Sequence, residues 1–230
     1  MVNRYSIAAT SEAISDRFRV DATAAYKPQF NAAPTHLLPV ITQQSQIGLS
    51  FFYWGAPPSW ANQKPLAERI INTKVEAFPD KSVIRKKLVA HRCLIPADGF
   101  FAWKRISKKG TIPYRFTLRD NSLFAIAGLW EEYENENGEH FHTFNMITTE
   151  ANESVLPVSE RMPAIILPAQ EKNWLDQTDE KNLLKMVKVF PEALDHYAVS
   201  SIVNQPERND RTVLLPAPPA DQFGNLTLFD

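Results

Sequence analysis

Between residues 37 and 148 the chain returns again and again to short runs of β-branched and aromatic residues, none longer than eight, parted by polar or proline-rich breaks. Leu37 to Thr42 and Ile47 to Trp54 are two such runs; Gln43-Gln44-Ser45-Gln46 separates them, and together they predict a hairpin. Arg92 to Pro96, Gly99 to Trp103, Tyr114 to Leu118, Leu123 to Gly128 and Phe141 to Thr148 predict further strands, with Glu134-Asn135-Glu136-Asn137-Gly138 as the turn before the last. Helical spacing is confined to Thr10–Val20, Pro65–Glu76, Lys81–Leu88, Ala169–Leu175 and Asp179–Val187. Between Trp54 and Trp60, Ala56-Pro57-Pro58-Ser59 predicts a rigid turn, because proline lacks the N–H that a helix or ladder needs. Strands with scattered helices and no βαβ repeat predict an α+β fold built on an antiparallel sheet.

A chain of 230 residues with 44% hydrophobic residues can bury one substantial core. We expect one domain over residues 1–204; a tail over 205–230, rich in Pro, Asn and Asp, packs on it or extends from it. The longest clean apolar run, Leu123 to Trp130, is eight residues and far short of a membrane span. The N-terminus lacks the basic region and apolar core of a secretory signal, and the single cysteine, Cys93, cannot form an intramolecular disulfide. These features predict a cytoplasmic protein without a metal centre or cofactor.

The seven glycines are never closer than seven positions apart, which excludes G-x-G-x-x-G, Walker and G-x-S-x-G loops, and no H-E-x-x-H occurs. Net charge is −1, yet residues 1–115 hold 17 Lys/Arg against 7 Asp/Glu while residues 116–230 hold 8 against 19. Two readings fit: the halves pair across an interface, or the first half presents a basic face to a polyanion.

Phe51, Phe52, Tyr53, Trp54 and Trp60 lie beside Arg69, Lys74, Arg85, Lys86 and Lys87. Rings among cations suit single-stranded nucleic acid, because bases stack while phosphates are neutralised; a core role fits the same rings. His140 and His142 share a strand face, but two imidazoles without a third ligand are a weak metal signal and read as exposed strand residues.

A set of segments in fixed order resembles one family. They are Arg4-Tyr5, Asn31-Ala32-Ala33-Pro34-Thr35, Trp54-Gly55-Ala56-Pro57-Pro58-Ser59-Trp60, Asn72-Thr73-Lys74-Val75-Glu76, Arg92-Cys93-Leu94-Ile95-Pro96-Ala97-Asp98-Gly99-Phe100-Phe101-Ala102-Trp103, Ala127-Gly128-Leu129-Trp130-Glu131, Ile147-Thr148-Thr149-Glu150-Ala151-Asn152, Arg161-Met162-Pro163, and Val199-Ser200 to Val203-Asn204. The chain resembles the SOS response-associated peptidase (SRAP) family of abasic-site processing proteins over residues 1–204. The resemblance implies recognition of abasic sites in single-stranded DNA and a covalent crosslink. In the family the initiator Met is removed, and the α-amine of an N-terminal cysteine condenses with the sugar aldehyde before its thiol closes a thiazolidine. An α-amine suits that step, since its pKa near ~7.7 to 8.0 leaves a neutral fraction at neutral pH.

This sequence departs from the pattern at three central positions. Position 2 is Val2, which has no thiol; the family's glutamate falls on Ala102 and its histidine on Ser159. Asn72 is kept, and Lys74 replaces an arginine while keeping a positive charge. Cys93 reads as a packed small hydrophobe, and Glu76 or Glu160 as solvated carboxylates off the lost glutamate's position. The expectation is a non-covalent binder of single-stranded or damaged DNA, cytoplasmic and nucleoid-associated, in which Arg4, Trp54, Trp60, Lys74 and Arg161 contact phosphates and bases. Asn31, Pro34, Asn72 and Thr148 line the pocket. Two alternatives stand beside it: an enzyme whose Val2 α-amine still forms a Schiff base and supports slow strand cleavage, and a protein-binding pseudoenzyme without DNA affinity.

Overall fold

The computed structural model describes residues 2–22, 25–43, 48–56, 70–78, 82–134 and 138–226. Its strands are β1 (Tyr5–Ile7), β2 (Gln29–Ala32), β3 (Leu37–Thr42), β4 (Ser50–Trp54), β5 (Asn72–Lys74), β6 (Arg92–Ala97), β7 (Gly99–Arg105), β8 (Thr111–Thr117), β9 (Phe124–Glu134), β10 (His140–Glu150), β11 (Arg161–Pro163), β12 (Ile165–Ile166) and β13 (Asp195–Ala198). The helices among the described residues are α1 (Ser11–Phe18), α2 (Ser82–Ala90), α3 (Pro168–Asp176) and α4 (Glu180–Met186).

Two sheets carry the fold. One runs β13-β8-β7-β1-β2, all antiparallel; in the other, pairing passes from β10 through β4, β3, β6 and β9 and returns to β10, so five strands close on themselves. Closure removes the exposed edges that an open sheet leaves. All six residues of β6 are buried, as a strand covered on both faces requires. Gly128 of β9 faces Cys93 of β6, and a methyl group there would sit 2.7 Å from the Cys93 sulfur, so the ring's close approach depends on glycine. The α+β architecture and the β3–β4 hairpin match the sequence reading. So does the β9–β10 hairpin, in which His140 pairs with Glu134. The sheet is not purely antiparallel: β10 runs parallel to both β4 and β5.

One predicted helix is corrected. Residues 72–76 of the Pro65–Glu76 stretch form β5 and the start of a 3₁₀ turn at Val75–Ala77, because the Asn72–Lys74 backbone is captured by β10 (Met146 opposite Asn72, Thr148 opposite Lys74). The rest of that stretch to residue 69, and the Pro57-Pro58-Ser59 turn, lie outside the described residues.

Local chemistry sets the helix ends. Thr10 caps α1, its hydroxyl accepting from the Ala13 N–H at 3.3 Å, and Pro168 opens α3. Arg92, although charged, is fully buried. Its guanidinium donates to the carbonyls of Leu88 and Val89 at the end of α2, and to those of Trp174, Leu175 and Gln177 at the end of α3. One cation thus satisfies the orphan carbonyls of two helices and complements both dipoles.

Residues beyond 204 contact the first sheet. Asn209 Oδ1 accepts from the N–H groups of Phe30 and Asn31 at 2.7 and 3.2 Å, and Val213 packs with Phe101, Val199 and Val203 in a small apolar cluster. Gln222 binds Thr111.

Candidate functional site

Strand β1 lies between β2 and β7, with Tyr5 opposite both Ala32 and Phe100, which brings the first residues of the chain to where the two sheets meet. Val2 is buried, and the Asn72 side-chain amide donates to its carbonyl at 2.6 Å. Asn72 is aimed by its neighbour: the Ile71 carbonyl accepts from the Trp54 indole N–H at 2.8 Å and from the Met146 N–H at 3.0 Å.

Arg161, Glu76, Lys74 and Thr148 gather around β10. Arg161 makes a two-pronged contact with Glu76 at 2.7 and 3.0 Å and donates to the Thr148 carbonyl at 2.6 Å. The Arg161 hydrogen bond holds the Glu76 carboxyl below the usual carboxylate range, with Lys74 adding a smaller effect of the same sign. Glu76, read from sequence as merely solvated, is therefore the partner of Arg161. Lys74 is exposed opposite Thr148, which is itself buried.

The other two substituted positions, 102 and 159, are filled by packing and turn chemistry. Ala102 on β7 is buried opposite Tyr114 and belongs to the main core. The Ser159 hydroxyl donates to the Arg161 carbonyl at 2.9 Å and accepts from the Arg161 N–H at 3.2 Å, so it closes its own turn.

Arg4 is partly buried. Its guanidinium donates to the Asn3 carbonyl at 2.7 Å, burial lowers its pKa, and Glu207 opposes that shift. His36 sits in its field, and burial followed by Arg4 pushes the imidazole pKa down. Sequence reasoning missed His36; its place two residues after Pro34 in the quoted motif was the available signal. Thr35 between them has a φ of +76°, strained for a β-branched residue, and its N–H donates to the Trp54 carbonyl at 2.8 Å. Asn31 is fully buried and donates to the carbonyls of Val203 and Gln205 at 3.2 and 2.9 Å, so its amide anchors the C-terminal segment. Pro34 lies half-buried in the same turn as Thr35. Among the described residues, five of the seven buried side-chain polar atoms without a partner belong to Asn3, Arg4, Asn31, Asn72 and Arg161.

The aromatic reading needs correction at Trp54. Its ring is fully buried, edge-on to Tyr5 at 5.4 Å and stacked with Phe144 at 6.2 Å, and offers no face to a base. Trp60 lies outside the described residues, as does Arg69. Phe52 is buried and stacks with His142 at 4.9 Å, so His142 is part of an aromatic cluster, whereas His140 is exposed beside Glu132. Cys93 is fully buried, and burial pushes its thiol pKa up, which keeps it inert as read. Three cations of the first half pair with carboxylates of the second, through Arg17–Glu171, Arg85–Glu180 and Lys87–Glu131, so part of the charge asymmetry is internal pairing. Clefts of about 630 and 590 Å³ flank Arg17 and Pro168, away from Val2 and Asn72. No helix among the described residues is long and apolar enough to cross a membrane.

The profile of the family described as SOS response associated peptidase (SRAP) matches residues 1–206. The chain belongs to the SRAP family. It is similar to the abasic site processing protein YoaM of Bacillus subtilis (strain 168), with 34% identity over 221 residues covering 93% of this chain and 97% of that protein. YoqW of the same strain, also named an abasic site processing protein, is 35% identical over 216 residues, covering 91% and 96%. A crystal structure of a protein from Bacteroides thetaiotaomicron superposes with a TM-score of 0.78 at 23% identity, covering 93% of this chain and 99% of that one, and shares this SRAP fold.

Proposed function

We propose that this SRAP protein binds single-stranded DNA at abasic or damaged sites and does so without closing a thiazolidine. One observation carries the reading: the main chain at position 2 is still held by Asn72 at 2.6 Å, while the side chain there is valine. Position 102 supplies a core methyl group in place of a carboxylate, and the position 159 hydroxyl is spent on its own turn. The framework that would hold a substrate stands beside substituted chemistry. The names of YoaM and YoqW supply the substrate class. Lys74, Arg161 and Arg4 provide cations for phosphates, and the orphaned amide oxygens of Asn31 and Asn72 are acceptors for sugar or base. Such a protein works in the cytoplasm, at the nucleoid.

The Asn72–Val2 contact also favours a second reading. With Met1 removed, the Val2 α-amine nitrogen would attack the sugar aldehyde carbon and water would leave, giving a reversible imine and slow strand cleavage by elimination. Borohydride trapping of untagged protein on single-stranded DNA with one abasic site, with Met1 removal checked by mass, tests both. Binding without any reductant-independent adduct is the expected result; an adduct that survives without borohydride overturns the proposal. Trapping that depends on borohydride assigns the imine step to Val2.

A further inference from the structure

The stretch from Gly99 to Arg119 carries six cations and no carboxylate, and four of them, Lys104, Arg105, Lys108 and Lys109, bracket the turn between β7 and β8. Arg105, Lys108 and Lys109 are exposed and form no ion pair with any described residue, unlike Arg17, Arg85 and Lys87. The tip that carries them is pinned. The Ile106 N–H donates to the Gly110 carbonyl at 3.0 Å, the Ser107 hydroxyl accepts from the Gly110 N–H at 2.8 Å, and Gln222 accepts from the Thr111 N–H at 2.9 Å while donating to the Lys109 carbonyl.

The same strand leads back to the candidate site. Ala102 and Trp103 lie on β7, and the half-buried Trp103 indole N–H donates to Asn204 at 2.9 Å. Arg105 is three residues beyond Ala102, roughly 10 Å along an extended strand. We infer that the β7–β8 tip is a second phosphate-binding element, engaging the backbone of single-stranded DNA as it leaves the candidate site. The inference rests on the DNA-binding reading above. A pinned backbone presents the cations without a backbone ordering cost on binding, and Ile106 is too small an apolar surface for a protein interface.

The test measures fluorescence anisotropy of labelled oligothymidylates, one short (about 6 nucleotides) and one long (about 24), across a potassium chloride series with the full, untagged chain. Replacing Arg105, Lys108 and Lys109 by Gln removes three phosphate contacts. The slope of log affinity against log salt on the long strand should fall in magnitude by about 2, since each contact on single strands contributes ~0.7. Affinity for the short strand should not change. Gln222→Ala keeps every cation, so it should weaken long-strand binding by about threefold at unchanged slope, through loss of the pinned geometry. An unaltered slope on the long strand, with wild-type binding intact, overturns the tip assignment alone. Equal losses on both strands also overturn it, because the tip then acts within the main site. Wild-type protein that binds neither strand at low salt overturns the DNA reading and this inference together.

Discussion

The side-chain amide of Asn72 donates to the main-chain carbonyl of Val2 at 2.6 Å, tying the first residues of the chain to a strand that follows seventy residues later. Asn72 is fixed in turn because the carbonyl before it is held by the Trp54 indole. The N-terminus is therefore positioned by the fold and does not depend on a thiol.

Asn72→Ala removes that tether. The expected cost is about 1 kcal/mol in denaturant unfolding, typical of one partly buried hydrogen bond, and a roughly fivefold fall in any borohydride-trapped adduct. A variant that unfolds at the wild-type midpoint and traps equally would show that position 2 is held by packing alone.

Arg92→Lys keeps the charge and loses the planar fork. Lysine offers three donors where the guanidinium serves five carbonyls, so at least two helix-end carbonyls become orphans. The loss should be about 2 to 4 kcal/mol, read as a lower urea midpoint at unchanged slope. A change below about 0.5 kcal/mol would mean that water can replace the lost donors.

Trp54→Phe separates core from nucleic-acid roles. The ring is buried and its N–H donates to the Ile71 carbonyl, so stability should drop by about 1 to 2 kcal/mol through the lost hydrogen bond and the smaller ring in the core, the carbonyl keeping the Met146 N–H as its other donor. Affinity for single-stranded DNA should stay within about twofold, less than the ~1 kcal/mol that losing a stacked base costs. Loss of affinity with stability intact would restore the stacking role read from the sequence.

What the sequence disclosed follows from length and periodicity. Leu37–Thr42 is found as read, because its apolar run ending in Val40, Ile41 and Thr42 outweighs Pro39, and the long β9–β10 hairpin extends the two runs read there. Tyr5–Ile7, Arg161–Pro163 and Ile165–Ile166 escaped notice; strands of two or three residues carry no period and exist only because distant partners pair with them. Asn72–Lys74 reads as helix in isolation and is overridden by parallel pairing with β10. Within the site, Val2, Asn72 and Arg161 were legible through motif order. The burial of Trp54 was not, since Phe51-Phe52-Tyr53-Trp54 offers no polar alternation to say which rings face inward. A charged residue such as Arg92 reads as surface until the helix ends that it serves are placed around it.

Val2→Cys tests what the missing thiol means. Cysteine is smaller than the buried valine, so the fold should lose about 1 kcal/mol or less. Once the α-amine has formed an imine, the thiol would add to the imine carbon and pass its proton to nitrogen, closing a ring without reductant. The expected outcome is a slow adduct on abasic single-stranded DNA that survives without borohydride, detected by intact mass. Continued dependence on borohydride would place the deficit at positions 102 and 159.

His36 gives the pH prediction. Burial first, and the nearby Arg4 second, lower its imidazole pKa in the fold, while the unfolded chain keeps a value near 6.5. Between those two values the unfolded state binds more protons, so acid favours unfolding. The contribution of neutral His36 is complete above about pH 6.5, declines as pH falls toward the folded-state value, and is constant below it. His36→Gln cannot titrate, so its urea midpoint should change less than wild type's between about pH 7 and pH 5. If the two proteins lose stability in parallel over that range, the imidazole is protonated in the fold as readily as in the unfolded chain, and Arg4 does not act on it.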